Sequence, residues 1–225
     1  MDYQHSMEEN PLDRLECPRI YTQKEKFVTD FSWLQTYYTS EVGTMDEVIK
    51  VNQLEYQIIK LLGHGKGGYS YLVRRDGKSY VLKQIHHEPC AYYSFGNKIE
   101  AEKNDYARLL QAGIPIPVMV ELDEEKECLV KEFINGPTIY ELICEDKMEE
   151  RYMRQVKEMS EQAKAAGLNI DYFPTNFVVQ DGIMYYVDYE CNAFMEEWSF
   201  DNWGIQYWSK TPEFIEYVRT HSERV

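Results

Sequence analysis

The stretch Gly63-His64-Gly65-Lys66-Gly67-Gly68 lies between two apolar runs, residues 55–62 and 69–75, whose composition is typical of β-strands. Glycine adopts positive φ angles at little cost, and without a Cβ it leaves its N–H group open to an anion. The first, third and sixth residues fit the pattern G-x-G-x-x-G, which occurs in loops that bind phosphates. The same glycines also fit a plain hairpin turn, so the rest of the chain has to decide between the two interpretations.

The composition predicts a globular protein with enough residues for a core in one domain or two small lobes: 225 residues, 44% hydrophobic and 28% charged. The formal net charge of −15 argues against nucleic acid or an anionic membrane as a default partner, because both select basic surfaces. The start, MDYQHSMEENPLDR, lacks the basic and apolar regions of a signal peptide, and no run approaches the ~18 apolar residues of a membrane helix.

The cysteines indicate a reducing compartment. Their number is odd, and no two have the C-x-x-C spacing of a redox motif or a pair of zinc ligands. We therefore expect free thiols and a cytoplasmic protein. The five residues are Cys17, Cys90, Cys128, Cys144 and Cys191.

Residues 1–50 are polar, acidic and irregular, and we assign them to an N-terminal extension without a function. Residues 51–135 have the turn signals of a small antiparallel sheet that begins with a three-stranded meander, and Asp76-Gly77 marks a tight hairpin in it. One helix follows the meander, with Leu109 and Leu110 on its apolar face. The predicted elements are strands 55–62, 69–75, 78–85, 118–122 and 128–133 and helix 98–111.

Residues 136–225 are predicted to form a second, mainly helical lobe, because Ile134-Asn135-Gly136-Pro137 breaks the strand pattern. Apolar residues at spacings of three and four support its longest helix. The tryptophan-rich residues 198–208 fit either the floor of this lobe or a docking surface. The predicted elements are helices 138–144, 149–166 and 211–220, a loop at 168–176, and a hairpin of 177–179 with 184–187.

Two adjacent histidines, His86 and His87, lie close in sequence to Glu88 and Cys90. The four residue types suit a metal site, but the side chains of adjacent residues point in different directions in most backbones. A solvated loop is therefore the favoured interpretation.

Two charged residues follow the glycine stretch at useful positions. Lys83 lies on the third predicted strand, among apolar neighbours that would hold its ammonium group beneath the glycine turn. Glu102 lies on the predicted helix, where its carboxylate could anchor Lys83 in an ion pair. Glu100 is the alternative partner, and since its side chain points about 200° away around the helix, only one of the two can face Lys83.

The second lobe contains three oxygen-bearing side chains in suggestive places. Asp171 and Asn176 share one predicted loop, and Asp188 directly follows the small hairpin. Carboxylate and amide oxygens suit Mg²⁺, which takes few protein ligands and completes its shell with water and substrate phosphates. The set also leaves one carboxylate to act as a base.

Each of these residues has a simpler explanation. Lys83 and Glu102 fit a solvated surface, and the Asp171 to Asn176 loop and Asp188 fit turn and cap positions. The order is what favours a nucleotide site: a glycine turn, a strand lysine, a helix glutamate, the spacing D-x-x-x-x-N, and an aspartate after a strand.

This order resembles the protein-kinase-like fold over about residues 53 to 192. The chain looks closest to the small atypical kinases, namely the RIO-type enzymes and the kinase of the tRNA-modifying KEOPS complex. The similar segments are Ala107-Arg108-Leu109-Leu110, Gly113-Ile114-Pro115, and Asn135-Gly136 after Glu132-Phe133-Ile134. Short aminoglycoside phosphotransferases are also similar. The resemblance implies an α+β protein with a small antiparallel-sheet N-lobe and a mainly helical, truncated C-lobe.

The resemblance also implies a role for each candidate residue. Asp171 would orient and deprotonate the acceptor hydroxyl. Lys83, held by Glu102, would bind the α- and β-phosphates of ATP. The other implied contacts are Gly63, Gly65 and Gly68 over the phosphates, backbone groups of Glu132 and Ile134 on adenine, and Asn176 and Asp188 on Mg²⁺.

The chain departs from the family pattern in four places. Asn169-Ile170-Asp171 stands for His-Arg-Asp, and Asp188-Tyr189-Glu190 stands for Asp-Phe-Gly. Glu190 adds a negative charge that fits either an extra metal ligand or a salt-bridged surface group. Ser70 occupies the usual valine position of the glycine loop. After Asp188 the chain has no Ala-Pro-Glu motif and little room for a peptide-binding platform.

From these features we expect an ATP-dependent phosphotransferase that moves the γ-phosphoryl group to a hydroxyl of a protein serine or threonine, or of itself. A nucleotide-binding pseudokinase scaffold is the alternative favoured by Asn169 and Glu190, and a small-molecule kinase is another. A domain that has lost ATP altogether disagrees with the retained Lys83, Asp171, Asn176 and Asp188.

Overall fold

The computed structural model describes residues 47–65, 67–87 and 96–221. These residues form a mixed α+β structure in which a curled antiparallel sheet is followed by helices and two small strand pairs. The predictions for Cys17, Lys66 and Cys90, and for most of the N-terminal extension, lie outside the described residues.

The main sheet has six strands in the order β1-β2-β3-β4-β6-β5, with antiparallel neighbours throughout. Its strands are β1 (Val48–Val51), β2 (Leu54–Gly65), β3 (Gly68–Arg75), β4 (Lys78–Ile85), β5 (Met119–Asp123) and β6 (Cys128–Glu132). The meander and the two later strands were predicted, and they are confirmed. Strand β1 was not predicted, because four residues show too little alternation without the β2 partner beside them.

Two features shape this sheet. At the Asp76-Gly77 turn, φ is positive for both residues (50° and 75°), which is the geometry that a two-residue hairpin requires. The sheet is curled, so that Asn52, the residue after β1, donates its N–H to Oδ2 of Asp123 at 2.9 Å. The first strand and the end of β5 are therefore tied together.

The predicted helices are all present, with ends that differ by one residue. They are α1 (Lys98–Ala112), α2 (Ile139–Cys144), α3 (Glu150–Ala165) and α4 (Pro212–His221). The placement of Leu110 on the apolar face of α1 was wrong. Leu109 is fully buried while Leu110 is half exposed, because consecutive residues project about 100° apart around a helix.

The remaining strands form two short antiparallel pairs: β7 (Leu168–Ile170) with β10 (Cys191–Ala193), and β8 (Phe177–Gln180) with β9 (Ile183–Tyr186). The β8–β9 hairpin was predicted. The prediction of a loop over 168–176 was wrong at both ends, where β7 and a 3₁₀ turn at Pro174–Asn176 are found. A three-residue strand is invisible in the sequence, because its partner β10 lies some 20 residues further on.

The buried hydrophobic side chains form two clusters. One is formed by residues of β1, β2, β3, β4 and β6 of the sheet. The other and larger cluster joins α1 to the helices and small strand pairs that follow. Trp203 and Trp208 belong to the larger cluster, and the indole N–H of Trp208 donates to the carbonyl of Tyr172 at 2.7 Å. Both tryptophans thus serve as core and not as a docking surface.

Candidate functional site

Lys83, Glu102 and Asp188 form a three-way charge cluster where the sheet meets the helices, and we call these three residues the crease cluster. The ammonium group of Lys83 donates to Oε1 of Glu102 and lies 3.5 Å from Oδ1 of Asp188. The side chains of Lys83 and Glu102 are only 13% and 12% exposed. Charges that are distant in sequence are therefore paired in a largely desolvated place.

The start of helix α1 determines which glutamate faces Lys83. The side chain of Asn97 caps the helix by accepting the N–H of Glu100 at 3.1 Å. From that start, Ile99 and Leu109 point into the core, Glu102 points toward β4, and Glu100 is exposed. The structure thus contains the Glu102 pairing and leaves the alternative, Glu100, in solvent.

The electrostatics of the crease cluster favour the charged forms of Lys83 and Asp188. Burial alone would lower the pKa of Lys83, but the carboxylates of Glu102 and Asp188 raise it above its ordinary value. Burial alone would raise the pKa of Asp188, but Lys83 and Lys131 hold it below its ordinary value. The second oxygen of Glu102, Oε2, is buried and has no hydrogen-bond partner among the described residues.

The glycine stretch has a different shape from the one predicted. Strand β2 continues through Gly63 to Gly65, which pairs with Gly68, so the two strands stay paired up to these two glycines. Register shifts between Ile58 and Lys60 and between Leu61 and Gly63 let the long strand follow its partner to this point.

The tip of this hairpin approaches Lys83 closely. A Cβ added at Gly67 would lie 3.4 Å from both Cε and Nζ of Lys83, which places the tip next to the ammonium group. A Cβ at Gly68 would lie 2.2 Å from the carbonyl oxygen of Gln84, so only glycine permits β3 to pack on β4 there. Gly63 and Gly65 have open space where a Cβ would lie.

Histidines flank this hairpin, which the sequence analysis did not anticipate. His64 stacks on Tyr69 with ring centroids 4.2 Å apart, and its Nε2 lies 3.1 Å from Nε2 of His86. The His86 Nε2 also lies 2.9 Å from the carbonyl oxygen of Gly65. His87 points elsewhere, to Glu127 at 2.6 Å. Within residues 47–65, 67–87 and 96–221, no group of three or more His, Cys, Asp or Glu side chains could hold a metal ion.

The Asp171 loop, residues 171–176, follows β7 and closes largely on itself. Oδ1 of Asp171 accepts the N–H of Phe173 at 3.0 Å, and Nδ2 of Asn176 donates to the Asp171 carbonyl at 3.4 Å. The carbonyl of Asn176 accepts the N–H of Val187 at 2.8 Å, which places the loop beside the residue before Asp188.

Asn169, which stands where the resembled kinases have histidine, has a structural role. Its side chain is buried, donates to the Trp198 carbonyl at 2.9 Å and accepts the N–H of Met195 at 2.5 Å. Both ends of the amide thus hold the segment that follows β10. This leaves Asn169 engaged away from the Asp171 carboxylate.

Glu190 is exposed but lies in a negative environment. Partial desolvation, together with the charges of Asp188 and Asp171, raises its pKa above the ordinary value. Its carboxylate lies 3.5 Å from the side-chain amide of Asn192, and its carbonyl accepts the Tyr186 hydroxyl at 2.8 Å. Glu190 makes no salt bridge within the part of the chain that the structure describes.

The structure adds one residue that the sequence analysis missed, Lys131. It pairs with Val81 across β6 and β4, so its side chain lies on the same face of the sheet as that of Lys83. Lys131 is 6% exposed, donates to the carbonyl of Val187, and has its Nζ 4.5 Å from the centre of the Tyr189 ring. A lysine between Val130 and Glu132 gives no sequence signal for burial, because its partners lie more than 50 residues away.

Glu132 and Ile134 lie at the exit of the same strand. Glu132 pairs with Tyr80, three residues before Lys83 on β4, and Ile134 is buried. The chain then packs tightly against β8, since a Cβ at Gly136 would lie 1.8 Å from the carbonyl oxygen of Val179. The structure thus brings this segment to the same strand pair as Lys83.

The donor set in this region suits Mg²⁺. One oxygen of Asp188 is engaged by the N–H of Tyr189 at 2.8 Å and faces Lys83, while no hydrogen bond to another described residue occupies Oδ2. Asn176, beside Val187, uses its Nδ2 as a donor, which leaves its amide oxygen available as a ligand. A carboxylate oxygen and an amide oxygen are hard ligands of the type that Mg²⁺ accepts alongside phosphates.

Comparisons with known proteins identify no relative: no protein-family model matches the chain, and no curated protein sequence matches it. Among the described helices, none combines the length and the apolar character needed to cross a membrane. Any function therefore has to be argued from the site itself.

Proposed function

We propose that this protein is an ATP- and Mg²⁺-dependent phosphotransferase with a two-lobed, kinase-like architecture, and that it acts in the cytoplasm. The observation that carries the proposal is the crease cluster beneath the tip of the glycine hairpin. A lysine paired to a helix carboxylate and to a second carboxylate after a strand is an arrangement suited to polyphosphate.

The proposed division of labour follows from the positions of the residues. Lys83 binds the α- and β-phosphates while Glu102 holds its ammonium group in place, and the hairpin with Gly63, Gly65 and Gly68 covers them. Backbone groups of Glu132 and Ile134 bind adenine at the exit of β6. The chain needs no covalent chemistry for this step, since positioning and charge neutralisation lower the barrier.

Three residues supply the remaining chemistry. Asp188 and Asn176 would hold Mg²⁺, which neutralises charge on the phosphates when it is bound. Asp171 accepts the proton of the acceptor hydroxyl through its carboxylate, whose local bond to the Phe173 N–H fixes its orientation. The acceptor is a serine or threonine of a protein, of this chain itself, or a small alcohol.

A nucleotide-binding pseudokinase is the second candidate, and specific observations favour it. Asn169 is fully engaged by Trp198 and Met195 and gives no support to Asp171. Glu190 adds negative charge where phosphate would lie. Under this alternative the crease cluster binds ATP without turnover.

The test is ATP turnover and autophosphorylation with Mg²⁺, comparing wild type with Lys83→Ala and Asp188→Ala. We expect each variant to lose at least about 100-fold in turnover, because each removes a charge that faces the phosphates. Wild-type turnover no greater than that of the variants would remove the enzyme claim. A thermal shift of wild type by ATP and Mg²⁺ in that same case would establish the pseudokinase.

A further inference from the structure

The second buried lysine, Lys131, has contacts that the proposed function does not explain. Its ammonium group donates to the carbonyl of Val187 and lies over the ring of Tyr189, so it touches the residues on both sides of Asp188. These contacts run from β6 of the sheet to a segment in the larger hydrophobic cluster. Lys131 is thus a cross-link between the two parts of the molecule.

Two other hydrogen bonds hold this segment, and neither of them engages the carbonyl of Val187. The N–H of Val187 is held by the Asn176 carbonyl at 2.8 Å, and the hydroxyl of Tyr189 donates to the Pro117 carbonyl at 2.6 Å. Among the side-chain contacts of the described residues, Lys131 is the one that engages the Val187 carbonyl. Without it, that carbonyl loses a charged hydrogen-bond donor.

We propose that Lys131 is a positioning residue that fixes the backbone at Val187 and thereby aims the carboxylate of Asp188. Lys131 acts through the backbone and the Tyr189 ring, and it does not itself touch the nucleotide. The link to metal rests on the proposed function, while the link to the backbone does not.

The first test needs no ligand. Hydrogen–deuterium exchange is followed at the amides of 187–189 in wild type and in Lys131→Met, which keeps the unbranched chain but removes the donor and the charge. We expect at least a tenfold faster exchange in that segment, with α3 unchanged. Unchanged exchange there, or an equal increase throughout the helices, overturns the positioning role.

The second test separates aiming of Asp188 from general loss of stability. The affinity of a fluorescent, non-hydrolysable ATP analogue is measured with Mg²⁺ and with EDTA. In Lys131→Met we expect the affinity in EDTA to stay within about twofold, while the enhancement by Mg²⁺ falls at least tenfold. An equal loss in both conditions means that Lys131 acts through general stability or through direct contact with the nucleotide and not through Asp188, which overturns the proposal.

Tyr189→Phe is the matched control. It removes the hydrogen bond to Pro117 and keeps the aromatic ring beneath Lys131, so we expect lower stability but an intact enhancement by Mg²⁺. If this control loses the enhancement as fully as Lys131→Met does, stability alone accounts for the effect and the proposal fails. If wild type binds no nucleotide in either condition, the proposed function fails, and the exchange experiment still decides the role of Lys131.

Discussion

The crease cluster and the Asp171 loop satisfy their charged groups in opposite ways. In the crease cluster, Lys83 meets two carboxylates from distant parts of the chain, and burial makes those contacts costly to lose. In the Asp171 loop, the carboxylate accepts a hydrogen bond from an N–H two residues away. The first arrangement exists only in the folded chain, whereas the second is a local turn that many loops form.

The difference bears on how strongly each region argues for function. A turn residue can be explained without any ligand, so Asp171 supports a catalytic role only through the position of its loop, in which Asn176 contacts Val187. A lysine held between two carboxylates under a glycine hairpin is harder to explain as stability alone, because hydrophobic residues would fill the same space at no electrostatic cost.

The largest expected effect concerns the Asp171 loop, the region that argues less strongly for function. Asp171→Asn keeps an oxygen that can accept the Phe173 N–H but removes the base, so we expect turnover to fall roughly 1,000-fold. The free energy of unfolding measured in urea should change by less than about 1 kcal/mol, because the local turn is kept. Turnover equal to wild type would leave Asp171 with a turn role only.

The next effect concerns the stability of the crease cluster. Glu102→Ala leaves Lys83 buried with Asp188 as its remaining partner, and we expect a loss of roughly 3 kcal/mol in the free energy of unfolding. Urea denaturation followed by circular dichroism measures it.

The matched control for that experiment is an exposed ion pair between the same helix and the turn that follows β5. Lys103 and Glu124 form an ion pair at 2.6 Å with both side chains more than half exposed. Glu124→Ala should therefore cost less than about 1 kcal/mol. Equal losses in the two variants would mean that the crease cluster is energetically an ordinary surface pair.

These comparisons also explain what the sequence could predict. Lys83, Glu102 and Asp188 were identified because the order of a glycine stretch, a strand, a helix and a later strand end restricts where each side chain can lie. Helical periodicity showed that only one of Glu102 and Glu100 could face Lys83, and the structure shows that it is Glu102. Where an element is long, its local sequence pattern was enough to predict the element and the direction of its side chains.

Other features depend on contacts that no local pattern contains. Strand β7 is three residues long and is defined by β10, and the burial of Lys131 is defined by Val187 and Tyr189. The close contact of Gly68 with Gln84 follows from the strand register, which the turn at Asp76-Gly77 sets from a distance. Sequence reasoning therefore found the charged residues but not the groups that hold them.

A smaller effect separates the glycines of the hairpin. Gly68→Ala places a Cβ 2.2 Å from the Gln84 carbonyl, so β3 has to shift away from β4, at a cost of about 1–3 kcal/mol in unfolding. Gly65→Ala meets open space and should change stability by less than about 0.5 kcal/mol. Thermal unfolding of both variants measures the two losses of stability. Similar losses for the two variants would show that the close packing at Gly68 is not maintained in solution.

The smallest effect is read from two buried cysteines, Cys128 on β6 of the main sheet and Cys191 on β10. Burial raises the pKa of Cys128, in the sheet, and of Cys191, after Asp188, to about 12 each, while Cys144 is exposed. Because the thiolate is the reactive form, iodoacetamide at pH 8 should label Cys144 first, and labelling of the two buried thiols should keep rising beyond pH 9. Peptide mass spectrometry measures the three rates.

The backbone N–H of Cys191 donates to Asp105 of α1, so Glu102→Ala should accelerate labelling at Cys191 more than at Cys128. Equal acceleration at both would show that loss of the crease cluster loosens the whole molecule and not the junction between its two parts.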